Sequence, residues 1–181
     1  ASAVVCFNYT HTLNFNSDNN SVVEKKEATH TSNYSSYTYT GSAQGPSVTV
    51  KIGSTTIASS NYTVTGNSNT KVGSYTVTVT GKTNLSGTNT KSYTISARSM
   101  TAASISTISD VTYNTYAHKP TPTLKYNGMT LVNGSDYSIT YTNNVNVGTA
   151  TVKFTGKGNY TASTSATFKI NQAAISVATY A

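Results

Sequence analysis

From residue 48 onward the chain alternates apolar and polar side chains with a period of two. Val48, Val50 and Ile52 flank Thr49 and Lys51, and Tyr62 with Val64, Tyr75 with Val77 and Val79, and Tyr93 with Ile95 repeat the pattern. The second half does the same through Leu124 and Tyr126, then Tyr137, Ile139 and Tyr141, then Ala150, Val152 and Phe154, then Phe168 and Ile170. Successive side chains of a strand point to opposite faces, so this alternation predicts strands with one face in a core. No segment carries an apolar stripe at helical spacing. Turn-forming groups such as "NG", "TGK" and "NVG" separate the runs.

The alternation is written twice. Gly73 and Gly148, Gly81 and Gly156, Asn84 and Asn159, Tyr62 and Tyr137, Tyr93 and Phe168, and Ile95 and Ile170 each stand 75 residues apart. Upstream, Tyr39 matches Tyr113, Ala43 matches Ala117, Pro46 matches Pro120 and Lys51 matches Lys125 at a spacing of 74, so one residue is inserted where "IASSNY" becomes "LVNGSDY". A repeat that keeps its glycines and large apolar residues and places its one insertion in a loop is a tandem array. Six or seven short antiparallel strands per unit, apolar on one face, predict an all-β chain of two tandem immunoglobulin-like β-sandwich modules. The expected boundaries are 31–97 for the first module and 98–171 for the second. Residues 1–30 match neither repeat and are read as an N-terminal extension, a flexible leader, the end of a preceding module, or a strand donated to a neighbour. Residues 172–181 are a linker or the start of a further module, since "NQAAISVATYA" resembles the stretch that introduces the second repeat.

Within residues 143–163, "NNVNVGTATVKFTGKGNYTAS", every patterned residue has a mechanical use. Asn143 and Asn144 tolerate left-handed backbone, Gly148 returns the chain to the sheet, and Ala150, Val152 and Phe154 face a core while Thr151 and Lys153 face water. Gly156 and Gly158 then close a hairpin onto the last strand.

Composition changes the picture in one respect. Only 9% of residues are charged, against about 25% in an average soluble protein, so threonine, serine, asparagine and 14 tyrosines solvate the surface. The net charge of +7 reflects a shortage of acids, with the lysines dispersed and Arg98 the single arginine. Nucleic-acid binders concentrate their positive charge and favour arginine, so nucleic acid is not an expected partner. No run of 18 apolar residues suits a membrane span. Cys6 is alone and forms no intrachain disulfide. No basic and apolar leader opens the chain, and its start at Ala1 fits a removed initiator, a cleaved leader or an excerpt of a longer protein.

Candidate chemistry is sparse. The acids are Asp18, Glu24, Glu27, Asp110 and Asp136, and the last two are the only pair within one repeat. A glycosidase needs two carboxylates facing one cleft, and turn-forming roles suit this pair better. His11, His30 and His118 are read as exposed histidines, because abundant serine makes a paper triad with His118 and Asp110 cheap. Cys6 and His11 lack two further zinc ligands, no acid-rich loop suits calcium, and no cofactor is expected. Lys51 and Lys125, considered for a lysine–asparagine crosslink, point outward by alternation. The Asn-x-Ser/Thr triplets match the background expected from such a composition and do not imply glycosylation. A carbohydrate-binding module is the alternative function. It predicts tyrosine platforms on one outer face, with Tyr113, Tyr116 and Tyr126 the candidate glycan contacts, and the lack of tryptophan weighs against it.

The stretches "YTYTGSAQGPSVTV" and "VTYNTYAHKPTPTLKYNGMTLVNGSDYSITYTNNVNVGTATVKFTGKGNYTASTSATFKI" resemble the bacterial immunoglobulin-like repeats of large surface proteins, of the glycine-containing, mostly-β type, over residues 31–171. The first repeat departs from the pattern at Asn61, in place of Asp136, and at Leu85, in place of Tyr160. The resemblance implies an extracellular spacer or adhesive module, displayed on a bacterial cell surface or decorating a phage virion. Its implied partners are neighbouring subunits or modules and cell-surface glycans.

Overall fold

A computed structural model of the 181-residue chain describes residues 4–15, 22–30, 35–52, 54–83 and 85–175, with side chains from residue 36 onward. The described residues contain no α-helix, and the chain divides between Ser96 and Ala97 into two compact units.

The first unit runs β1 (Val4–Phe15), β2 (Val22–His30), β3 (Ser35–Thr38), β4 (Ser47–Ile52), β5 (Thr55–Thr56), β6 (Tyr62–Thr65), β7 (Gly73–Gly81) and β8 (Thr88–Ser96). They form two four-stranded sheets, ordered β2-β1-β4-β5 and β3-β8-β7-β6. The core forms where alternating residues of both sheets meet. Val50 of β4 clusters with Val79 of β7, and Val48, Ile57, Tyr62, Val64 and Leu85 pack around them. Beside this, Val77, Tyr93 and Ile95 gather Tyr37, Tyr39 and Tyr75. Tyr37 meets the Tyr93 ring edge-on at 5.8 Å, an arrangement favoured by the ring quadrupoles.

The second unit runs β9 (Arg98–Ser99), β10 (Ser104–Ile105), β11 (Val111–Thr112), β12 (Leu124–Tyr126), β13 (Met129–Thr130), β14 (Tyr137–Thr142), β15 (Gly148–Gly156), β16 (Tyr160–Thr161) and β17 (Ser163–Asn171). Its sheets are ordered β10-β12-β13 and β11-β17-β15-β14, with the small pair β9-β16 at the side. Met100, Leu124, Leu131, Tyr137, Ala150, Val152, Phe154, Tyr160, Phe168 and Ile170 are buried. The β15 pattern places Ala150, Val152 and Phe154 inside and Lys153 outside, which is the period-two alternation in three dimensions.

Not all ladders are antiparallel. β3 runs parallel to β8, β11 to β17, β1 to β4 and β9 to β16. A parallel pair joins segments far apart in sequence, so neither the turns nor the local alternation signals it. The loops follow the residue chemistry. Asn143 has φ 55° and Gly148 φ 137°, so both turn the chain where β14 gives way to β15. At Gly156 a β-carbon would stand 2.8 Å from the Thr161 backbone nitrogen, so close approach of main chain selects glycine there.

The N-terminal segment pairs within its own unit. β1 and β2 form a hairpin from Phe7↔His30 to Phe15↔Val22, and β1 adds to β4 with Phe7 opposite Val50. In the second unit the equivalent of Val50, Leu124, has Ile105 of β10 as its neighbour.

Candidate functional site

The candidate glycan tyrosines occupy different parts of the second unit. Tyr113 follows β11, its N–H bonding the Asn171 carbonyl 2.9 Å away at the edge of the four-stranded sheet. Tyr116, three residues on, is 75% exposed. Tyr126 belongs to β12 in the other sheet and is half-buried. Its ring lies 5.5 Å from the Arg98 guanidinium and 6.3 Å from Tyr160, and its hydroxyl accepts a 3.3 Å bond from Arg98. Tyr126 is thereby engaged with its own module, and Tyr116 is the member of the three that stands in open solvent.

The two described carboxylate side chains both hold main chain. Asp136 Oδ2 accepts the Val132 N–H at 2.8 Å while the Asp136 N–H bonds the Val132 carbonyl at 2.9 Å, closing a loop. Asp110 Oδ1 accepts the Lys169 N–H at 2.9 Å, next to β17. Neither has a histidine among these partners. No group of three or more His, Cys, Asp or Glu with metal-site geometry occurs among the described residues. No helix among them is long and apolar enough to cross a membrane.

Equivalent loops close one end of each unit. In the first, Gln44 and Asn69 bridge through N–H to carbonyl bonds of 2.8 and 2.9 Å, and the buried Tyr93 hydroxyl accepts 2.7 Å from Asn69 Nδ2 while lying 3.1 Å from the Gly66 carbonyl. Gly45 admits no side chain here, because a β-carbon would meet the Asn67 carbonyl oxygen at 1.9 Å. An open depression of about 640 Å³ lies over these loops, lined by Tyr37, Gln44, Pro46 and Asn67 among others. In the second unit, His118 stands at the position of Gln44 and Asn144 at that of Asn69. The His118 N–H bonds the Asn144 carbonyl, and Asn144 Nδ2 returns a bond to the His118 carbonyl, each 2.8 Å. Phe168 replaces Tyr93 and has no hydroxyl, and the Tyr141 hydroxyl serves instead, bonding the Pro120 carbonyl at 2.8 Å. His118 differs from the exposed loop histidine expected of it. It is half-buried, with Nε2 enclosed and without a partner among the described residues, because the bridge to Asn144 draws the loop inward. Val145 and Val147 remain exposed on the neighbouring loop, which lines a depression of about 450 Å³.

Lys91 was not singled out by its sequence. It lies on the inward face of β8 with Tyr93 and Ile95, is 8% exposed, and its Nζ is enclosed with no partner among the described residues. Burial lowers its pKa, since the charged ammonium loses water and gains no counter-charge. The alternation Lys91, Tyr93, Ile95 was the available signal, masked by the usual exposure of lysine. In the second unit Ala166 holds this position.

No protein-family model matches the chain, and no curated protein matches it.

Proposed function

We propose that the chain is a pair of immunoglobulin-like β-sandwich modules with a non-catalytic, structural role, displayed on a bacterial surface protein or on a phage virion. The observation that carries this reading is that one loop-closure plan is used twice with exchanged polar parts, Gln44 and Asn69 with Tyr93, then His118 and Asn144 with Tyr141. The groups that would otherwise suggest chemistry, Asp110 and Asp136, are occupied by main-chain N–H donors. Such a module serves as a spacer and presents hydroxyl, amide and tyrosine side chains for weak, adaptable contacts. Its partners are then neighbouring subunits or modules, with cell-surface glycans next, and its location is extracellular.

Imaging the native assembly with an antibody raised against the chain tests the reading. Label repeating on a capsid, tail, filament or cell envelope supports it, and label confined to the cell interior contradicts it. The glycan alternative is favoured by the exposure of Tyr116, 75% of which faces solvent. It predicts glycan binding that Tyr116→Ala weakens and Tyr126→Phe leaves unchanged.

A further inference from the structure

The sequence holds two Asn–Gly steps, Asn127–Gly128 and Asn133–Gly134, both in the second unit. At the repeat spacing the first unit has Gly53 and Ser54 in place of Asn127 and Gly128, and it contains no such step. An asparagine before a glycine carries the parts of a self-modification. Its side-chain amide carbon is an electrophile, and the next main-chain nitrogen, on a residue with no β-carbon to shield it, is a nucleophile that can close a five-membered ring.

Both steps form turns. Asn127 (φ 48°) and Gly128 (φ 81°) join β12 to β13 as a two-residue hairpin loop with both residues in the left-handed region, the conformation for which Asn–Gly is a favoured pair. Gly134 has φ 92° and lies in the loop that leads to β14. All four residues are exposed, and a β-carbon on either glycine would meet nothing within 4 Å, so access does not distinguish the two steps.

Hydrogen bonding distinguishes them. The Gly134 N–H donates to the Tyr137 carbonyl at 2.7 Å, and the Gly134 carbonyl accepts a 2.8 Å bond from Lys157 Nζ. On the other side of Asn133, Val132 is tied to Asp136 through the carboxylate and the main chain, and the Asp136 carbonyl accepts the Lys157 N–H at 2.8 Å. The nucleophilic nitrogen is engaged and both flanks of the step are fixed. At the hairpin tip, neither the Gly128 N–H nor the Asn127 side chain has a hydrogen bond among the described residues. The ladder beneath it consists of Lys125↔Thr130 and Tyr126↔Met129, between strands of three and two residues. Ring closure requires Asn127 to swing out of its turn, and opening the end of so short a ladder costs little.

We propose that Asn127 is a site of spontaneous deamidation in the folded module and that Asn133 is protected from the same reaction. The Gly128 nitrogen bonds to Asn127 Cγ and the Cγ–Nδ2 bond breaks. The proton lost from Gly128, carried by water, leaves with Nδ2 as ammonia. Water then opens the cyclic imide. Cleavage at Cγ gives aspartate and cleavage at the main-chain carbonyl gives isoaspartate, so one water is consumed, one ammonia is released and nothing is oxidised or reduced. Either product adds a carboxylate and lowers the net charge of +7 by one. Isoaspartate also adds a carbon to the main chain, so the two-residue loop no longer closes Tyr126 onto Met129 in register. The proposal depends on the two turns and not on the location proposed above, so it stands or fails independently of the imaging result.

Incubating the intact chain in mildly alkaline buffer, with both positions followed by peptide fragmentation mass spectrometry, tests it. A parallel sample in denaturant gives the rates without turns, and the two steps are expected to convert alike there. The folded chain is expected to convert position 127 faster than 133 by about tenfold or more, the ratio set by one or two net hydrogen bonds that must break before attack. Lys157→Met removes one bond from the Gly134 carbonyl at an exposed site. It is expected to raise the rate at 133 by about threefold and leave that at 127 unchanged. Equal rates at the two positions of the folded chain, or faster conversion at 133, overturn the proposal. A folded chain that converts neither position while the denatured chain converts both also overturns it, and no rise at 133 in Lys157→Met contradicts the assignment of its protection to these bonds.

Discussion

The two units share the order and register of one sheet, β3-β8-β7-β6 in the first and β11-β17-β15-β14 in the second. They differ in the strands of the partner sheet and in what fills the core. Phe154 in β15 and Val79 in β7 occupy one position, as do Phe168 and Tyr93, Tyr141 and Gly66, and Ala166 and Lys91. In the second unit the larger Phe154 meets Tyr137 edge-on at 5.6 Å, whereas in the first Tyr37 and Tyr75 crowd the Tyr93 ring and bring a hydroxyl into the core. The ladders change accordingly. The β14–β15 pairing runs as far as Thr142↔Thr151, whereas β6–β7 stops at Thr65↔Thr78, where Gly66 turns away with φ 76°. The comparison teaches that the sheet register is common to both units and that the aromatic packing and its hydrogen bonds are interchangeable parts within it.

The sharpest way to break the comparison is to cut the same position in both units. Phe154→Ala is expected to destabilise the second unit by about 4 kcal/mol, while Val79→Ala costs the first about 2 kcal/mol. Denaturant titration followed by unit-specific amide signals checks this, and equal losses would mean that the two positions are not packed alike. Backbone changes come next. Gly66→Ala forces a β-carbon to 2.1 Å from the Thr76 carbonyl oxygen at φ 76° and is expected to cost about 3 kcal/mol. Gly87→Ala, at φ 90° but with nothing within 4 Å, is expected to cost about 1 kcal/mol. Thermal unfolding of the two variants separates strain with collision from strain alone.

Tyr93→Phe converts the first core toward the second and leaves the Asn69 amide with the Gly66 carbonyl at 3.1 Å as its remaining bond. The expected loss is about 1 kcal/mol, and a loss below about 0.3 kcal/mol would show that the hydroxyl network contributes nothing net. Lys91→Met has the opposite sign. The folded-state pKa of Lys91 lies below its usual value of 10.5 because burial disfavours the charge, so near neutrality the unfolded chain binds protons at least as tightly as the folded one. Wild-type stability therefore rises with pH between the lowered pKa and 10.5. Replacing Lys91 by methionine is expected to stabilise the first unit by about 1 kcal/mol at neutral pH, with a gain that shrinks as pH approaches 10.5. A gain independent of pH would assign the effect to packing alone. Above about pH 10 Tyr137 and Tyr141 act in the other direction. Burial raises the pKa of both, helped at Tyr137 by the charge of Asp136 and at Tyr141 by Tyr137. Unfolded tyrosines then ionise first and stability falls.

The all-β character was legible because alternation is a local property, and Ala150, Val152, Phe154, Val77, Phe168 and Ile170 face inward as their spacing requires. The left-handed turn at Asn143 was legible for the same reason, since it is written in one residue type, whereas the sequence reads Gly156 as closing a hairpin and does not signal the close approach of the Thr161 main chain that selects it. What stayed hidden depends on contacts distant in sequence. The parallel pairs β3–β8 and β11–β17 have no turn to announce them. Lys91 has the sequence appearance of a surface residue and sits inside only because its strand's phase puts it there. Among the candidate tyrosines, sequence could not distinguish Tyr126, held by Arg98 and Tyr160, from Tyr116 in solvent, since that difference arises from the place of Arg98 on β9.

Amide hydrogen exchange on the intact chain tests the shared plan most directly. The two parallel edges should protect matching amides: the Tyr39 N–H, bonded to the Ser96 carbonyl, and the Tyr113 N–H, bonded to the Asn171 carbonyl, each 2.9 Å. Slow exchange at both, together with protection along β7–β8 and β15–β17, is the predicted result. Fast exchange at either tyrosine while the adjoining antiparallel ladder stays protected would contradict the claim that one four-stranded sheet plan is used twice.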